Sequence, residues 1–320
     1  MIANLFKKSN YLNYFISGFL ILLGSFLNQF EAFSAEGGLS QTYDSIILFL
    51  ITFTFMIFTD SYLKQQNFFK KRSDYKMFYA LLFIAIPVIK INLYILLAPF
   101  LLFFSIYNMN LSFASKTNVK PFFDTGLFIA FTTLLYPFNA LFFITPFLLI
   151  ITSNGNQYKR LLSLFLPLLV ITFIAYPIFS ILEIDRIQEN LSQWTWELKP
   201  FALTLGTQLF WYGTIGFGLL MLIVDLSKGK DLFGYQKQNH SWIILFFLIV
   251  LFMIYGTNNT TLLFYLLFPI SIFVGRVSQR MKSDFSRNIL PTLIIIGILL
   301  LKFPLFNWSP NRIFEKTTRK

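Results

Sequence analysis

An all-α, polytopic transmembrane bundle is the architecture this sequence predicts, and three observations predict it. Hydrophobic residues make up 56% of the 320-residue chain and charged residues only 12%, too few charges to clothe a soluble globule of this length. The apolar residues fall in long runs, most of them bounded by lysine and arginine. Two of those runs, 77–107 and 121–151, are too long for one crossing of a hydrocarbon core about 30 Å thick, and each carries a break near its middle, at 89–92 and 136–139. Each of the two reads as a hairpin of short, closely paired helices. Counted so, the chain has about eleven membrane segments in one integral membrane domain, residues 1–320.

Composition also excludes. With no cysteine there are no disulfides, thiolate nucleophiles or thiolate metal sites, and the one histidine, His240, cannot build a histidine metal cluster. The net charge of +12 does not imply nucleic acid, because the basic residues concentrate in the links between apolar runs, as loops facing the cytoplasm require.

Lys7 and Lys8 precede the first apolar run, 11–30. Cleavage of a signal peptide after Ala35 would put Phe33 where a small residue is needed, so the run reads as a retained helix with its N-terminus inside. The next loop carries Glu31 and Glu36 and no lysine or arginine, which suits the outer face. Span two, 43–63, contains Asp60 near its end and is followed by Lys64, Lys70, Lys71, Arg72 and Lys76, the densest basic cluster and the marker of the cytoplasm. In the first hairpin Lys90 would cost about 2.5–3.5 kcal/mol at the bilayer centre, and a turn at 89–92 moves it to the outer interface. A link with Lys116 and Lys120 leads to the second hairpin, whose Pro137 bends the backbone beside Tyr136 and Asn139 at the outer face, where a cavity could form.

Lys159 and Arg160 return the chain inside, and a span 161–182 leads outward. In 183–200, Ile184, Ile187, Leu191, Trp194 and Leu198 recur at steps of three and four, the spacing of an amphipathic helix lying in the outer headgroup layer. Spans at 201–225, 241–255, 262–275 and 289–306 follow, with Lys228, Lys230 and Lys237, then Arg276, Arg280, Lys282 and Arg287, in the inner links. The C-terminal tail falls outside, against the charge bias of its Arg312, Lys316, Arg319 and Lys320. Reading one hairpin as a single span would turn the later basic clusters outward; reading both as single spans would flip only the Lys116–Lys120 link, so segment length decides between those two topologies. Gly206, Gly213 and Gly216 share one helix face, the pattern of close helix packing.

No phosphate-binding G-x-x-x-x-G-K-[ST] loop, no H-E-x-x-H and no G-x-S-x-G occurs. Carboxylates near span centres are nearly absent, which disfavours an ion-coupled pump and makes lipid transport the weaker reading. The polar residues left are those of the outer face.

Two resemblances bear on these residues. FKKSNYLNYFISGFLILL, LKQQNFFKKRSDYKMFYALLFIAIP and FFDTGLFIAFTTLLYPFNALFFITPFLLIIT resemble an uncharacterised family of flavobacterial-type inner-membrane proteins. More remotely, the last passage with YKRLLSLFLPLLVI is similar in pattern to glycosyltransferases of the GT-C class, in which short paired helices follow the first two spans. That resemblance implies a GT-C-like fold and transfer of a sugar from a polyprenyl-phosphate donor at the outer face, with a carboxylate in the first outer loop acting on the acceptor or holding a metal. It points to Glu36 and Glu31 as catalytic residues and to Lys90, Arg186, Tyr136 and Asn139 as substrate-binding ones. The loop departs from the class in lacking its adjacent acidic pair. No metal ligand and no particular cofactor is identified. The competing reading is a non-catalytic scaffold or partner subunit of a cell-envelope assembly in the bacterial inner membrane, its partners membrane lipid and envelope proteins.

Overall fold

The computed structural model describes residues 10–33, 39–66, 74–86, 93–114, 119–152, 156–181, 205–227, 234–257, 259–281 and 284–302. Among these the chain is all helical, with eleven α-helices and no strand. In chain order they are α1 Asn10–Phe33, α2 Leu39–Gln65, α3 Tyr75–Ile84, α4 Leu93–Ala114, α5 Lys120–Leu135, α6 Ile144–Ile151, α7 Gln157–Ile181, α8 Leu205–Ser227, α9 Gly234–Thr257, α10 Leu263–Arg280 and α11 Asp284–Lys302. In position these helices fall on the apolar runs of the sequence. Two stretches, Thr42–Gln65 in α2 and Gln157–Ala175 in α7, are long and apolar enough to cross a membrane.

Both long apolar runs are broken where length demanded. The first divides into α3 and α4. The second breaks at Tyr136, whose extended backbone (φ −152°, ψ 110°) ends α5; Pro137 has no N–H to continue the ladder, and a 3-10 turn, Pro137–Phe143, leads into α6. The arms do not form the expected close pairs, however. Helix α4 packs on α2, α5 and α9, while α5 packs chiefly on α4 and α7. The most extensive contact of α5 is with α4, an arm of the first hairpin, so arms pair between the two hairpins rather than within each.

Glycine sets the closest of these contacts. A Cβ on Gly126 of α5 would stand 2.0 Å from the carbonyl oxygen of Leu164 in α7, so only a residue without a side chain lets these backbones meet. By contrast, among the described residues nothing lies within 4 Å of a Cβ built on Gly213 or Gly216. The close packing expected of them is absent among the described residues, and Gly218, one turn on from Thr214, faces Phe247 and Ile270.

At the centre stands α3. All ten of its residues are buried, enclosed by α1, α2, α10 and α11. Around it the core is aromatic: Phe55 of α2 meets Tyr79 of α3 (6.3 Å between ring centroids), Phe100 and Phe103 of α4 (4.9 and 5.9 Å) and Phe268 of α10 (6.2 Å). Phe246 of α9 joins Phe268 at 5.8 Å and Phe142 at 4.8 Å. Most of these pairs are edge-on, the geometry that the ring quadrupole favours. At its far end α3 is held by a polar bond, Trp211 Nε1 of α8 donating to the carbonyl oxygen of Ala85 at 3.2 Å.

Candidate functional site

Three helix ends converge on one carboxylate. Asp60 lies one turn before the end of α2 and is fully buried. Its Oδ2 accepts a hydrogen bond from the Tyr14 hydroxyl, near the start of α1, and pairs with Lys64 Nζ at 2.7 Å and with Lys76 Nζ at 3.6 Å. Lys64 follows Asp60 by one helical turn on α2, the spacing that brings side chains together on one face. Lys76 arrives from the first turn of α3 and is 1% exposed, whereas Lys64 is 41% exposed. The Lys76 ammonium also stands 3.8 Å from the centre of the Tyr14 ring, over its negative face. The other carboxylate oxygen, Oδ1, is buried with no hydrogen-bond partner among the described residues.

The neighbouring positions tie the same helices. Thr59 spends its own proton on carbonyls of Phe55 and Met56, so Tyr75 is the donor in the 2.7 Å bond between the two hydroxyls. On the opposite side of the first turn of α3, Asp74 accepts from Ser278 of α10 at 2.8 Å. Residues 74 to 76 thus pin α3 between α2 and α10. A buried lysine without a carboxylate would cost several kcal/mol, roughly, so Asp60 is what permits Lys76 inside the bundle.

These positions correct one expectation and sharpen another. Lys76 belongs by sequence to the solvated basic cluster that marks the cytoplasm, but the start of α3 carries it into the core. Asp60 lies near a span end as expected, and is buried there. The signal for both was present: a carboxylate four residues before Lys64 inside an apolar period, and a lysine already within the next apolar run.

Of the residues expected to bind substrate, Tyr136 and Asn139 are together and closed off. They are 1% and 0% exposed. Asn139 Nδ2 donates to the carbonyl oxygen of Thr132 at 3.0 Å and to the Tyr265 hydroxyl at 3.4 Å, adding a donor at the end of α5 where the proline interrupts the chain's own ladder. The Tyr136 ring meets Phe138 edge-on at 5.3 Å, and its hydroxyl faces Thr257 and Asn259. Glu36, Lys90 and Arg186 lie outside the described residues, as do 183–200, and Glu31 is placed in the last turns of α1 without a described side chain. Among the described residues no group of three or more His, Cys, Asp or Glu could hold a metal.

No family model, curated protein or solved structure matches the chain.

Proposed function

We propose that the chain is a multi-pass protein of the bacterial inner membrane that serves as a non-catalytic scaffold or partner subunit of a cell-envelope assembly. The membrane reading is supported by outward apolar stripes. On α1, Tyr11, Phe15, Phe19, Leu23 and Leu27 recur every fourth residue and are all exposed. On α7, Leu162, Leu166, Leu169 and Phe173 recur at steps of three and four, with Ile174 beside them, and all five are exposed. The α1 stripe runs about 24 Å along its helix at 1.5 Å per residue, a height suited to lipid chains. The orientation is supported by the Asp60 cluster. It joins the start of α1, the end of α2, the start of α3 and the end of α10, the four ends that the basic links assign to the cytoplasm.

The choice of scaffold over transferase rests on one observation, the sealed packing of Tyr136 and Asn139. An acceptor and a polyprenyl phosphate need a water-filled cavity at this position, and side chains with no exposed surface line none. Gly213 and Gly216 offer a second helix a close approach from outside. The test is complementation of the envelope defect of a strain lacking the chain. A scaffold predicts that Glu31→Gln with Glu36→Gln restores it fully and that Gly213→Leu with Gly216→Leu does not, both being inserted at wild-type levels. Loss with the glutamate variant, accompanied by loss of a sugar-bearing product, would reinstate the GT-C reading.

A further inference from the structure

The outward stripe of α7 is headed by a cation. Lys159 stands three residues before Leu162 on the same face and is exposed, as is Tyr158 beside it (77%). From Leu162 to Phe173 the stripe runs about 16 Å, at 1.5 Å per residue, without a charged residue. Half of a hydrocarbon core about 30 Å thick is close to that depth. The face therefore has the profile of one leaflet, with an ammonium and a phenol at headgroup level and apolar surface from there to the midplane.

The start of α5 brings further positive charge to the same place. The Ser163 hydroxyl of α7 donates to the carbonyl oxygen of Val119 at 3.1 Å, next to the exposed Lys120. Between the two helices lies Arg160, buried, its guanidinium 5.3 Å from the centre of the Phe122 ring. One turn deeper Gly126 meets the Leu164 backbone, so the two starts form one rigid edge. Against these three cations α5 and α7 carry a single carboxylate, Asp124, a turn along α5 from Lys120. The edge keeps a surplus of positive charge at the end that the basic links assign to the cytoplasm.

We propose that this end of the α5–α7 seam is a binding site for an anionic phospholipid of the cytoplasmic leaflet. The lipid phosphate sits between Lys159 and Lys120, and one acyl chain lies along Leu162, Leu166, Leu169 and Phe173. The inference rests on the membrane reading above and adds to it a lipid of defined charge. Charge decides the occupant. A zwitterionic headgroup brings its own ammonium and gains little from surplus cations, whereas a headgroup of net negative charge gains about fivefold in affinity for each lysine near it. An apolar helix would cover the stripe but offer nothing to the cations at its head.

The experiment follows a fluorescent short-chain phosphatidylglycerol on the full chain in a nonionic detergent, by anisotropy. Unlabelled phosphatidylglycerol should displace the probe about tenfold more effectively than phosphatidylcholine, and inorganic phosphate at the same concentration should not displace it. Lys120→Gln with Lys159→Gln should weaken binding about 25-fold. Lys228→Gln with Lys230→Gln removes as much charge from another inner link and should change binding less than about twofold. Equal displacement by phosphatidylcholine, displacement by phosphate, or wild-type binding by the Lys120 and Lys159 variant overturns the proposal. So does disulfide formation between copies carrying Leu166→Cys in phosphatidylglycerol vesicles, which would seat a second copy on the stripe of this cysteine-free chain. Flotation of the full chain with phosphatidylcholine vesicles tests the membrane reading separately. A chain that floats but shows no lipid preference loses only this site, and one that does not float loses both.

Discussion

Replacing Gly126 by alanine tests the packing of α5 on α7 at its tightest point. The new Cβ would stand 2.0 Å from the Leu164 carbonyl oxygen, 2.9 Å from its carbonyl carbon and 3.3 Å from its Cα, all backbone atoms with no rotamer to change. Reaching even the shortest tolerable separation, near 3.0 Å, requires the two helices to part by about 1 Å, a gap that forfeits roughly a quarter to a half of each dispersion contact along the seam. Overpacking of this kind costs typically 1–3 kcal/mol, and alanine returns up to about 1 kcal/mol in helix propensity. With backbone on both sides the upper end applies, so the net loss is about 2 kcal/mol. Gly213→Ala is the control. It makes the same chemical change in α8, where nothing stands within 4 Å among the described residues, so only the propensity gain remains and stability should stay level or rise by up to about 1 kcal/mol. Unfolding of both variants by SDS titration in mixed micelles measures the difference. Equal stability of Gly126→Ala and wild type, or equal losses in the two variants, would refute the argument.

Two further outcomes follow from the polar contacts of α3. Asp60→Asn should cost about 3 kcal/mol in the same titration, because Lys76 loses the carboxylate it pairs with among the described residues, and adding Lys76→Met should recover a large part of that loss. A double variant no more stable than Asp60→Asn would mean the two residues act independently. Trp211→Phe removes the donor to the Ala85 carbonyl oxygen at 3.2 Å and should cost about 1 kcal/mol, read by a melt followed by circular dichroism. No change would show that this bond does not hold the end of α3.

How far the sequence carried this reading can be judged residue by residue. Run length and flanking charge sufficed to place eleven helices, since an apolar segment's extent is a local property and a proline such as Pro137 interrupts a helix wherever it sits. Neighbour choice was not legible: α5 could pair with α6 or with α7, and the decision fell to Gly126 meeting the Leu164 backbone, a fit between surfaces 38 positions apart. Tyr136 and Asn139 read as an exposed tip because polar residues beside a proline usually face water. Whether Tyr265 and Thr257 would enclose them depended on the approach of α10 and α9. The site at Asp60 shows the division most plainly. The sequence by itself determined that Asp60 and Lys64 share a helix face one turn apart. Only the tertiary structure decided that Lys76 and Tyr14, 16 and 46 positions from Asp60, would close on the same oxygen. The physical reason is that an ion pair's cost or benefit is set by what surrounds it, and surroundings belong to the packed chain rather than to any stretch of it.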